Sequence, residues 1–62
     1  MILKNGDLVQ LRGQAADSLG SHVGVIIDHL ENDYGFFHYK VLFPNFTEWI
    51  LDLHLRLINE GG

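Results

Sequence analysis

Four histidines in 62 residues, His22, His29, His38 and His54, are the side chains here most able to do chemistry. Neutral imidazole is the commonest transition-metal ligand, and it titrates near neutral pH. A metal site, however, needs three or four ligands that converge on one point. His29 and His38 fall on opposite faces of a hairpin, and no pair has a His-x-x-x-His spacing. No metal site is expected. Asp17, Ser18, Ser21 and His22 supply the residue types of a nucleophilic triad, but they sit in a loop without the rigid turn and oxyanion donors that acyl transfer requires. Asp7, Asp28, Glu31, Asp33, Glu48 and Asp52 are spaced as a wetted outer face would be. Gly13 and Gly20 lie seven apart with no Lys-Ser or Lys-Thr after them, so they punctuate turns and do not cradle phosphate. The expectation is a protein with no catalytic residue, no cofactor and no metal.

These side chains must be carried by short strands. Trp49, Leu51, Leu53, Leu55 and Leu57 fall on every second residue, with Asp52, His54 and Arg56 between them, the period of a half-buried strand. Residues 7–12 alternate in the same way, with Val9 and Leu11 inward, after the turn dipeptide Asn5-Gly6. Residues 13–21 read as a long loop anchored by Leu19, since six residues between two glycines are too few for a stable helix.

Residues 22–31 and 36–43 form a hairpin. A three-residue loop of Asp33, Tyr34 and Gly35, with Gly35 left-handed, pairs Asn32 with Phe36. Counting inward sets His29 against Tyr39, Asp28 against Lys40, Ile27 against Val41 and Val25 against Phe43. Pro44-Asn45 breaks the third strand, and residues 46–50 resume as a fourth with Thr47 and Trp49 inward. Residues 51–58 either continue it or pass through a 3-10 turn near Asp52 into a last strand at Leu55-Arg56-Leu57. Odd-numbered side chains from Val23 to Phe43 and from Thr47 to Leu57 should then fill one closed interior.

Composition bounds the rest. The length allows one domain, residues 1–62, near the lower limit for independent folding, and with no cysteine the core alone must stabilise it. Such a small core makes a homo-oligomer a natural supplement. A net charge of −4, with only Lys4, Arg12, Lys40 and Arg56 as cations, disfavours nucleic acid as partner. Runs such as Val25-Ile26-Ile27 are far short of a membrane span, and Met1-Ile2-Leu3-Lys4 lacks the apolar core of a signal peptide, so a cytoplasmic protein is expected.

The series Gly6-Asp7-Leu8-Val9, Gly24-Val25-Ile26-Ile27, Tyr39-Lys40-Val41-Leu42-Phe43-Pro44, Trp49 and Leu55-Arg56-Leu57-Ile58 resembles small SH3-like barrel proteins of tailed bacteriophages of the cyanophage type. The resemblance implies an all-β, five-stranded SH3-like barrel with a short 3-10 turn before the last strand, and it transfers no catalytic residue. It also implies a phage-encoded accessory or host-modulating protein acting in the host cytoplasm. The same skeleton is similar to barrel subunits of photosynthetic complexes and to KOW-containing modules, which gives a nucleic-acid or transcription-associated role as the alternative. Those proteins are richer in basic residues. The chain does not resemble peptide-binding SH3 domains, because Trp49 is its single tryptophan and its first loop has no aromatic.

Partner binding is expected from apolar residues left outside. With Val25, Ile27, Val41 and Phe43 inward, Ile26 and Leu42 face out as a cross-strand pair, with Leu30 nearby and Phe46 and Ile50 at hand. Either a protein partner covers them, or the first loop or the Met1-Ile2-Leu3 segment does. Tyr34 at the hairpin tip should be exposed. Phe36 and Phe37 point to opposite faces, and the tip either inserts into a partner or tucks Phe36 under the loop.

Overall fold

Local sequence sets five strands, and a computed structural model describing residues 3–61 gives their order. Strand β1 (Leu8–Leu11) leads into helix α1 (Gly13–Leu19), followed by β2 (Val23–Glu31), β3 (Phe37–Leu42) and β4 (Thr47–Leu51). A 3-10 turn (Asp52–His54) and β5 (Leu55–Asn59) complete the described chain. The strands form one antiparallel sheet in the order β4-β3-β2-β1-β5, mostly β in character and open, with β4 and β5 as its edges. Closure of the interior between those edges, which the alternation predicted, is not observed.

The inner side holds Leu3, Val9, Leu11, Ile26, Tyr39, Val41, Phe43, Ile50 and Leu55, all buried. Val9 and Leu11 are inward as their alternation predicts. The Tyr39 hydroxyl is satisfied in this apolar setting by accepting the Leu3 N–H at 3.1 Å. Phe37 stacks on Tyr39, with ring centroids 6.2 Å apart, and Phe46 stacks on Phe43. Gly24 lies between β1 and β3 because nothing larger fits there. A Cβ at Gly24 would meet the Leu42 carbonyl oxygen and Val41 Cγ1, both at 2.7 Å.

Several expectations are overturned. Residues 13–19 are helical, not loop. No side chain caps α1 and none of its residues is buried, so propensity and capping do not hold it; Ala15 and Ala16 pack against the core, and tertiary contact stabilises the turn. Gly20, at φ +94°, ends it by donating its N–H to Ala16.

The hairpin is right at its tip and inverted at its base. Asn32 donates to the Phe36 carbonyl at 2.9 Å, Gly35 has φ +81°, and His29↔Tyr39 and Asp28↔Lys40 pair as counted. Between Ile26 and Asp28, however, β2 carries a bulge, so Ile26 pairs with Val41 and Val25 with Leu42. Ile26 is 1% exposed and Ile27 40%, the reverse of the expectation. Val23 and Val25 are exposed with Ile27.

Strand β4 is inverted too. Leu42 pairs with Thr47 and Tyr39 with Ile50, which turns Thr47 and Trp49 outward and buries Ile50. The alternation from Trp49 to Leu57 is therefore two patterns joined at the 3-10 turn, with Leu53 exposed and Leu55 buried.

Candidate functional site

Register decides which side chains share the outer side of the sheet, because directly opposed residues in an antiparallel pair point the same way. One row is Leu8, Val25, Leu42 and Thr47, running across β1, β2, β3 and β4. The next is Asp28, Lys40 and Trp49, and the third is Leu30, His38 and Leu51. Ile27 is the extra residue of the β2 bulge and is exposed beside Asp28. Val25, Ile27, Leu30, Leu42 and Trp49 are all exposed, so β2, β3 and β4 present an apolar face crossed by one acidic and one basic side chain.

The expected partner-binding residues divide between this face, the core and the tip. Leu42 and Leu30 are on the outer face as expected. Ile26 is not: the bulge carries it into the core against Val41, so it is unavailable to any partner. Ile50 is likewise buried, and Phe46 packs against the core. Tyr34 is 86% exposed at the hairpin tip, and Phe36 is exposed beside it rather than tucked under the loop. Asn32 Oδ1 organises that tip by accepting the Tyr34 and Phe36 N–H groups. Alternation missed Val25, Ile27 and Trp49 by placing them inside; the signal available was Ile50 beside Trp49, since isoleucine buries more completely than tryptophan.

Among the described residues neither the first loop nor Leu3 covers this face. Leu3 is in the core, and Met1 and Ile2 fall outside the described residues. Helix α1 packs Ala15 and Ala16 against the core and neighbours the 3-10 turn, and the Arg12 N–H reaches the His54 carbonyl at 2.8 Å.

The titratable groups are dispersed. His22 sits edge-on to Phe46 and Phe43. His29 and His38 point to opposite sides of β2–β3, and His54 lies in the 3-10 turn. Among the described residues no group of three or more His, Asp or Glu side chains could hold a metal ion, and no cavity is enclosed.

Asp7 is the exception to this dispersion. It is buried, its Oδ2 accepts the Lys4 N–H at 2.9 Å and its Oδ1 the Gly61 N–H at 3.1 Å. The Lys4 N–H holds its carboxyl below the ordinary value of 3.8, against the opposing effect of burial and with help from the Gly61 N–H and the Lys4 charge. Both carboxylate oxygens are thus engaged in holding backbone. The geometry is that of a structural clasp: Gly6 and Gly61 touch backbone to backbone, and a Cβ on Gly61 would collide with Gly6.

Edge strand β4 carries a guard against strand addition. Glu48 pairs with Val41 and so is in phase with the inward residues, and it is exposed. A charge turned toward the inner side of an edge strand opposes pairing with another chain.

No family model, curated protein or solved structure matches the chain.

Proposed function

We propose that the chain is a non-enzymatic protein-interaction module, and that it docks its partner on the outer β2–β3–β4 face around Val25, Ile27, Leu42 and Trp49. The observation that carries the reading is the exposure of these four large apolar side chains on neighbouring strands. Scattered surface leucines need no explanation, whereas a contiguous apolar group on so small a protein marks an interaction surface. Tryptophan at its margin adds the residue type most enriched among binding hot spots.

An SH3-like barrel is the architecture we propose for this module. The strand order, with β5 beside β1 and a 3-10 turn before it, supports that reading. So do the bulges in β2–β3 and β1–β5, which increase twist and bend strands toward closure. The resemblance to tailed-phage proteins supports a phage-encoded accessory or host-modulating role in the host cytoplasm.

Affinity capture from bacterial lysate tests the docking surface. Leu42→Asp changes an exposed position and should leave the melting temperature within about 2–4 °C of the parent. The parent should retain specific proteins that Leu42→Asp loses. Capture of the same proteins by both would overturn the reading.

A further inference from the structure

We propose that the occupant of the outer face is a second copy of the chain, packed face to face about a two-fold axis that runs along the strands midway between β2 and β3. The inference rests on the docking reading above and names its partner.

The two charges on the face carry the argument. Asp28 and Lys40 are directly opposed across β2–β3, yet they form no ion pair: Lys4 with Glu60 is the only one among the described residues. Asp28 Oδ1 instead accepts the His29 N–H at 2.8 Å. Both charges therefore lie on the apolar face without an ionic partner among the described residues. A two-fold axis between their strands sets each β2 residue against the β3 residue with which it pairs in its own chain. Asp28 then meets the second copy's Lys40, and Lys40 the second copy's Asp28. The same operation sets Val25 against Leu42 twice. One patch thus complements itself, as an isologous interface requires, and the strands of the two sheets run nearly aligned.

Net charge favours the same side. Two copies of a chain at −4 repel one another over most approaches. The β2–β3–β4 face carries one acid and one base beside His38, so approach there meets the least repulsion. Edge-to-edge association is opposed by Glu48 on β4.

Size sets the strength. Three strands of about six residues cover roughly 20 by 14 Å. Counted on both copies that is on the order of 600 Å², below the standard size of a specific interface, so the dimer is a weak and transient one.

A charge-swap cycle read by sedimentation equilibrium, from roughly 10 µM to roughly 1 mM, tests this arrangement. The parent should pass from monomer to dimer with concentration. Asp28→Lys and Lys40→Asp each set like charges together at both contacts and should each weaken dimerisation at least about tenfold. An equimolar mixture of the two variants should recover the dimer as a heterodimer. One contact then sets the introduced lysine against the introduced aspartate, and the other keeps an original Lys40 against an original Asp28. Within each variant chain the like charges remain, so recovery on mixing reports the interface and not a repaired fold. A parent monomeric throughout, an Asp28→Lys variant as dimeric as the parent, or a mixture no more dimeric than its components would each overturn the proposal. A monomeric parent whose Leu42→Asp variant still loses captured proteins overturns the second copy as occupant and leaves the docking face standing.

Discussion

The tip and the base of the β2–β3 hairpin lie on the same two strands, but only the tip has the facing that simple alternation gives. From Asp28 to Glu31 the pairing follows from the loop, whose left-handed Gly35 fixes the register. From Val23 to Ile26 the same strand is shifted by the single extra residue Ile27. One inserted residue moves Ile26 from the surface to the core and Val25 from the core to the surface. Turn chemistry therefore governs a hairpin only as far as the first bulge, and beyond it the packing partner governs.

Paired substitutions at the bulge are the strongest way to break that contrast. Ile26→Asp places an unpaired carboxylate beside Val41 in the core and should cost more than about 4 kcal/mol, unfolding a domain of this size. Ile27→Asp, one residue along, should stay within about 1 kcal/mol of the parent. Urea denaturation followed by circular dichroism reads both, and a reversed order would restore unbroken alternation in β2.

Gly24 probes the base of the hairpin less severely. Gly24→Ala drives a methyl against the Leu42 carbonyl and the Val41 and Phe43 side chains, and it should cost about 2–3 kcal/mol in the same assay. A neutral result would show that β2 and β3 can separate at Gly24 without loss.

Asp7 secures the base from the other side. Gly6 donates its N–H to the Ile26 carbonyl and the Ile26 N–H reaches the Asp7 carbonyl, so the turn held by the Asp7 carboxylate is stitched to the base of β2. Because the folded carboxyl titrates below its ordinary 3.8, its contribution is present in full above that pH and is lost as pH falls through the lower, folded value. Asp7→Asn should cost about 1–2 kcal/mol at neutral pH, and its stability should fall less steeply than the parent's below about pH 4. Equal slopes for the two proteins would remove Asp7 from the acid response.

What was legible in the sequence follows the same division. Val9 and Leu11, the loop at Asn32–Gly35 and the tip pairings announce themselves through alternation and turn residues, which act over a few positions, whereas alternation left the 3-10 turn open against a continued strand. The phase of β2 was hidden because its bulge carries isoleucine, with no glycine to mark it. The phase of β4 was hidden because Trp49 and Leu51 continue the spacing of Leu55 and Leu57 while pointing to the other side of the sheet. Helix α1 was hidden because packing of Ala15 and Ala16, rather than capping or length, sustains it. The candidate site inherited the error in β2: Leu42 and Leu30 were found, and Ile26 stood in for its two neighbours.

The Asp7 clasp also determines how the molecule would answer a pull. Its carboxylate grips Lys4 and Gly61, positions close to both ends of the described chain. Tension applied through those ends reaches these two hydrogen bonds before it loads any strand pairing. Their rupture, together with release of the Leu3 N–H from the Tyr39 hydroxyl, would precede any peeling of β5 from β1.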